Sequence, residues 1–390
     1  MSLREQLKQQ LVVNKASTSS ITNVDEPEHV FYRLSCEGDC EKLNQLLISN
    51  THLTIVDSIH SQLKDLVKLE NPSLYPMSDK LYQEKITQKL GSSSPQEYGV
   101  WVYYPWKNQL VHMLDESDFV KCRTIRNAYK IKTKEQETLR GKRIGVVGLS
   151  VGQSVAMALM SERIGGELRL ADFDDLELSN LNRIRAGVSD IGILKCVITR
   201  REIATIDPFL KVKTFSKGLT KDNIEEFLEK DGKLDVVVDE CDSFDMKITI
   251  RKHCKRLGIP VVMETSDRGM LDVERYDLNP EYPLLHGLVA QELIDAEQLT
   301  ADQKKKLVFQ FIDVNKASTR GRISLLEIGK TITTWPQLAS DVILGGAVVA
   351  MTCRLILLGQ CSNSFRHYVD VPSMIIGSKH GEVTENENLD

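Results

Sequence analysis

The chain has 390 residues, 41% apolar and 27% charged, and its 50 Lys and Arg against 55 Asp and Glu give a formal net charge of −5. That is the profile of a soluble globular protein with enough chain for about two domains, and its acidity argues against a general nucleic-acid coat. Eight cysteines are too few for a disulfide-stapled secreted scaffold, so a cytoplasmic protein is expected.

The opening MSLREQLKQQLVV lacks the apolar core of a signal peptide. Residues 1–20 read as a short polar helix followed by a Ser/Thr-rich spacer. Residues 1–120 are expected to form an N-terminal accessory domain of mixed α/β type. Its clearest strand is Val100–Tyr104, β-rich and stopped by Pro105. Trp101, Tyr103, Tyr104 and Trp106 sit at strand spacing and read as core; Cys36 and Cys40 are a weak candidate metal pair. Residues 121–143 then carry nine Lys/Arg and two Glu, net +7. This is either a solvated helix or a segment that meets phosphate.

From residue 143 the pattern becomes regular. RIGVVG is a short apolar run of the kind buried on both faces of a parallel sheet. A loop follows at Gly148–Gly152, then a helix over Gln153–Arg163 and a strand over Glu167–Phe173. A helix over Ile191–Ile206, a strand over Lys211–Phe215 and a helix over Thr220–Lys230 come next. Further strands at 234–240 and 259–264 flank a helix at 244–257. This alternation predicts an α/β fold with a Rossmann-like, doubly wound, mainly parallel sheet. The run Val342–Leu358 has 17 residues including Arg354, short of the roughly 20 apolar residues of a membrane span, and reads as a core helix. No membrane association is expected. The last segment, 379–390, is an acidic tail.

Gly148-Leu-Ser150-Val-Gly152 lies between the first strand and its helix, where glycines let backbone N–H groups approach phosphate and the helix N-terminus favours an anion. Asp172 ends the next strand 20 residues after Gly152, the place of a ribose-binding acid. A dehydrogenase would need no more, but this chain continues with Asp174, Ser179-Asn180-Leu-Asn182-Arg183, Gly192-Ile-Leu-Lys195 and Asp239-Glu-Cys-Asp242.

That order resembles the ThiF/MoeB/HesA superfamily of ATP-dependent activators, which includes ubiquitin-activating enzymes. The resemblance covers roughly residues 121–360 and implies an adenylation domain over 121–378. It implies that a carboxylate attacks the α-phosphate of ATP and pyrophosphate leaves. By the same resemblance Asp172 holds the ribose, Asn180 and Arg183 contact phosphates, Lys195 lies against them, Asp242 ligates Mg²⁺ and Asp174 supports the network. Ser150 stands where a glycine is common and either donates to phosphate or fills the turn. An arginine upstream of the first strand reaches the partner's site in a homodimer of this family; Arg126 is the better match and Arg123 the second.

The implied acceptor is the C-terminal glycine of a ubiquitin-like or sulfur-carrier protein. Alternatives are a small-molecule, peptide or tRNA carboxylate, a nicotinamide-binding dehydrogenase and a nucleotide-binding scaffold without chemistry. Nucleic acid is not the expected partner. Taken singly, each residue also has a plainer role: Asp242 as a helix cap, Lys195 as a solvated first-turn residue, Arg183 paired with Asp175 or Glu177. Thr334-Trp335-Pro336-Gln337 and Gly345-Gly346 look like the element that closes such domains, and core packing accounts for them. His286 reads as structural, and Arg268 either meets a carboxylate or phosphate or has no such role. The family's paired Cys-x-x-Cys motifs do not occur, so no zinc is expected. No cysteine lies between 255 and 352, so no internal cysteine relay is expected, and Cys241 reads as a small buried residue.

Overall fold

The computed structural model describes residues 28–295, 300–312 and 316–376; the polar helix expected in residues 1–20 and the tail at 379–390 lie outside them. The chain divides into two units, the first comprising residues up to Lys132 together with Ala204–Phe209.

The first unit runs β1 (Val30–Tyr32), α1 (Glu37–Ser49), β2 (Thr54–Asp57), α2 (Ile59–Glu70), α3 (Asp79–Leu90), β3 (Val100–Tyr104), β4 (Gln109–Met113) and α4 (Glu116–Thr124). Its sheet has the order β1-β3-β4-β2, with β2 parallel to β4 and the other pairs antiparallel. In β3 the alternating Val100, Val102 and Tyr104 are buried and the intervening residues half-buried, as period-2 patterning requires. Trp101 stacks on the buried His112 at 4.2 Å, and Tyr104 meets Trp106 edge-on at 5.5 Å. The aromatic cluster is packed core. The expected boundary at 120 falls inside α4, and the unit continues to Lys132.

The second unit runs α5 (Thr133–Arg140), β5 (Arg143–Val147), α6 (Gly152–Glu162), β6 (Glu167–Ala171), α7 (Lys195–Ile206), β7 (Lys211–Phe215), α8 (Ile224–Glu229), β8 (Val236–Asp239), α9 (Phe244–Leu257), β9 (Val261–Thr265), β10 (Met270–Glu274), α10 (Gln291–Ile294), α11 (Ala301–Ile312), α12 (Thr319–Glu327), α13 (Ala339–Leu357), β11 (Phe365–Tyr368) and α14 (Val371–Ile376). The sheet order is β11-β10-β9-β8-β5-β6-β7. The five strands from β9 to β7 are parallel, while β10 and β11 pair antiparallel at the edge. Every residue of β6 and β8 is buried, as in a strand covered on both faces; the charged Arg169 of β6 is accommodated by Glu167 at 2.8 Å and by the carbonyls of Phe227 and Gly232, both at 2.7 Å. The chain winds from β5 through β6 to β7, then returns to the other side of β5 for β8 and β9. The direction of winding reverses between β5 and β8, and in such sheets the crevice at the carboxyl ends of those strands binds ligands.

The helix expected from Ile191 begins only at Lys195. Residues before it fold back on the strand end, with Gly192 N–H donating to the Leu176 carbonyl at 2.9 Å and Leu176 N–H to that of Ile193 at 2.8 Å. Gly192 makes that reversal at φ +85°, a conformation glycine adopts without penalty. The apolar α13 is long enough to cross a membrane, but half of its apolar window is buried in the fold. Gly346 lets it close on α6: a Cβ there would fall 2.7 Å from Cβ of Ser154.

Candidate nucleotide site

The loop after β5 fits a phosphate cradle because it has no side chain at its closest approaches. Gly148 has φ +85°, and a Cβ on it would lie 2.5 Å from the Glu240 carbonyl oxygen; one on Gly152 would lie 2.8 Å from Val146 Cγ1. The two glycines let the loop sit down on the end of β8 and start α6 at Gly152, whose first N–H groups have no helical acceptor.

Asp172, 7% exposed, fixes this loop from the β6 side. Its Oδ2 accepts the Leu149 N–H at 2.6 Å and its Oδ1 the Asp174 N–H at 2.8 Å. Burial holds its carboxyl above the ordinary range, against the pull of those two bonds. Asp174 in turn receives Lys195: Nζ donates to its Oδ2 at 2.9 Å, and the Lys195 N–H to its carbonyl at 3.0 Å. Lys195 is only 6% exposed, so it is no solvated first-turn residue.

Arg183 does not pair with Asp175 or Glu177. Its Nε and Nη2 both donate to Ser150 Oγ, at 3.1 and 2.7 Å, and Nη1 donates to Asn182 Oδ1 at 2.9 Å. Ser150 therefore anchors the guanidinium at the loop. Burial lowers the Arg183 pKa while the nearby Asp242 carboxylate raises it, which puts Asp242 on the same side of the crevice. Asp242 is exposed and does not cap α9; Ser243 does, its Oγ accepting the Met246 N–H at 3.3 Å. Asn180 is buried, and its Oδ1 accepts the Glu177 N–H at 3.1 Å, a bond that does not use its Nδ2 hydrogens.

The structure thus brings Gly148, Ser150, Gly152, Asp172, Asp174, Asn180, Arg183, Lys195 and Asp242 to one crevice in the second unit. Arg126 lies in the first unit, in the turn Ile125–Asn127, and Arg123 there faces the buried Asp207 at 3.7 Å. Sequence reasoning missed Gln337, whose carbonyl accepts Asn182 Nδ2 at 2.7 Å and whose Oε1 lies 3.4 Å from Ser150 Oγ. Its place in the Thr334-Trp335-Pro336-Gln337 stretch was the available signal.

Beneath the crevice lies a buried ionic network that the sequence did not reveal. Although burial opposes its charge, Asp239 is held at about 2 by Lys247 and Arg251. Arg251 Nη1 donates to Asp239 at 2.5 Å and Nε to Glu274 at 2.5 Å, while the Tyr276 hydroxyl donates to Glu274 at 2.6 Å. Cys241 rests on Asp239, Sγ to Oδ1 at 3.0 Å, and burial, with Asp239 adding to it, pushes its thiol well above the ordinary range. A thiol so placed is no nucleophile at neutral pH.

The remaining candidates are structural. His286 Nδ1 lies 2.9 Å from the Tyr282 hydroxyl, and its Nε2 faces Asp272 at 3.4 Å. The carboxylate that Arg268 meets is internal, Asp370 at 2.7 Å. Cys40 donates to the Leu34 carbonyl at 3.2 Å. Among the described residues no three His, Cys, Asp or Glu side chains converge to hold a metal. A lone Asp242 still suits Mg²⁺, which is commonly held by one or two carboxylates with substrate phosphates and water.

Residues 122–302 match the model of the ThiF family. The chain is 45% identical to an uncharacterized protein of Mycobacterium tuberculosis over 70% of its own length and 38% of the relative's. It is 30% identical to tRNA threonylcarbamoyladenosine dehydratase of Bacillus subtilis over 39% of this chain and 60% of that one. It is 33% identical to the adenylyltransferase and sulfurtransferase UBA4 of Lodderomyces elongisporus over 36% of this chain and 31% of that one. The chain therefore spans less than two thirds of the length of each of these relatives.

Proposed function

We propose that the chain is an ATP-dependent adenylyltransferase that activates a carboxylate as an acyl-adenylate. The observation that carries this reading is the placing of Arg183 on Ser150 of the loop, with Lys195 and Asp242 alongside. A dinucleotide site has no need of two cations and a carboxylate at the phosphate end. In the reaction a carboxylate oxygen attacks the α-phosphorus of ATP, the bond from that phosphorus to the bridging oxygen breaks, and pyrophosphate leaves with the electron pair.

The loop amides and the start of α6 bind phosphate oxygens, Arg183 and Lys195 offset the charge that spreads over them, and Asn180 donates from Nδ2. Asp172 accepts from the ribose with lone pairs not used on the loop, and so has two duties. Asp242 with the phosphates holds Mg²⁺, which when bound draws charge off the pyrophosphate leaving group. Asp174 acts on Lys195 and fixes its position.

The acceptor we favour is the C-terminal glycine of a ubiquitin-like or sulfur-carrier protein. Support comes from the name of the UBA4 relative and from the ubiquitin-like modifier-activating enzyme 5 of Caenorhabditis elegans, 29% identical over 31% of this chain. The dehydratase relative supports a tRNA-linked carboxylate as the second reading. On either reading residues up to 132 recognise the acceptor and Arg126 serves a partner chain's site in a homodimer, since Arg123 is committed to Asp207. Eight free thiols suit the reducing cytoplasm.

Incubating the protein with ATP, Mg²⁺ and a small protein ending in Gly-Gly should add one AMP to the acceptor's C-terminus, read by mass spectrometry. An acceptor left unmodified when a tRNA or a small carboxylate is adenylated instead would move the reading to the alternative. ATP hydrolysis or binding with no adenylate on any acceptor would contradict it.

A further inference from the structure

Glu264 of β9 is 5% exposed, and its Oε2 is buried with no hydrogen-bond partner among the described residues. Three elements close on it. From α13, Gly345 presses against the carboxyl so closely that a methyl group there would collide with it, and Asp341 adds a like charge. From the end of β8 comes Glu240, whose Oε1 accepts the Glu264 N–H at 3.2 Å; Cys353 of α13 also lies near Glu240. On β10 the residue opposite is the apolar Leu271, and Asp272 beside it is taken up by Arg366 at 2.5 Å. The cation of α9, Lys247, is spent on Asp239 at 3.3 Å. Among the described residues no ion pair reaches the Glu264 carboxyl. Burial first, and Asp341 second, hold it at about 8.

The same cluster underlies the loop. The Glu240 carbonyl carbon is 2.7 Å from where a Gly148 Cβ would be, and Glu240 Cβ and Cγ are 3.7 Å from that of Gly152. Glu240 is therefore held between the two loop glycines and Glu264.

We propose that Glu264 is a positioning residue whose carboxyl, wedged between Glu240 and Gly345, keeps the loop in its phosphate-binding shape only while it carries its proton. An ionised carboxylate without a partner cannot stay in that space and must reach water. Water enters only if α13 parts from β9. Because Gly346 seats α13 on Ser154 of α6, the helix that starts at Gly152 moves with it. The site then binds ATP at neutral pH and loses it as pH rises.

The proposal rests on reading the loop as an ATP site. Its test is calorimetric titration of the full chain with Mg²⁺-ATP from pH 6.5 to 9.5, for wild type, Glu264→Gln and Asp341→Asn. Wild-type affinity should weaken above an inflection near pH ~8, by up to about tenfold per pH unit as one proton is lost. Glu264→Gln should lose that inflection, and Asp341→Asn should move it to lower pH because the like charge is gone. Superimposable wild-type and Glu264→Gln profiles overturn the role of Glu264. If Glu264→Gln does not fold, an unmoved inflection in Asp341→Asn does so. A wild type that binds no ATP at any pH overturns the ATP site itself, a result distinct from either.

Discussion

Lys195 has its charge fixed by one partner, Asp174, and its amide fixed by the same residue's carbonyl. Removing the ammonium in Lys195→Ala should leave the fold intact, because Asp174 is half-exposed and can turn to water. The variant should lose about 10- to 100-fold in ATP affinity, the equivalent of one charge-assisted hydrogen bond or two; calorimetry checks the first and thermal denaturation the second. Glu264 gives a second residue-scale expectation. Its folded carboxyl titrates near 8 against an ordinary value near ~4.3 unfolded, so the folded state binds the extra proton between those values. Stability is fully present below the unfolded value and is lost as pH rises through that window. Glu264→Gln, which needs no proton, should therefore gain in Tm over wild type progressively between pH ~5 and ~8. A constant offset between the two would contradict this.

The elements place these residues through features with different visibility in sequence. The apolar β5, the valine run of β8, the loop glycines and the acid that follows β6 were legible because each is a local pattern. The start of α7 was not, because the turn through Gly192 is stabilised by pairing back to Leu176, a separation that no helical period reveals. Nor was the network under the crevice: Asp239, Arg251 and Glu274 come from β8, α9 and β10 and read singly as ordinary polar residues. Gly345 and Gly346 were legible as close-packing residues, but what each admits, Glu264 and Ser154, needed three dimensions. Arg251 joins two buried carboxylates, so Arg251→Met should cost about 3–5 kcal/mol by leaving Glu274 without a cation and Asp239 with Lys247 alone. Urea denaturation measures it, and a loss below ~1 kcal/mol would show that the network relaxes.

At the scale of the whole molecule, the charge of −5 averages a net +7 segment at 121–143 with acids that line the crevice. The segment spans the division of the chain near Lys132, and Arg126 within it belongs to the unit that does not hold the loop. If Arg126 serves the partner's site, Arg126→Ala and Lys195→Ala should each be inactive alone. Mixed together under subunit exchange, they should recover up to about a quarter of wild-type turnover, the statistical yield of intact sites in random dimers of C2 type. No recovery despite demonstrated exchange would place Arg126 outside the site. The central claim, that this crevice forms an acyl-adenylate, is tested most directly by exchange of labelled pyrophosphate into ATP. Exchange should require Mg²⁺ and the carboxylate acceptor and should vanish in both Lys195→Ala and Asp242→Ala. Undiminished exchange in those two folded variants would contradict the account.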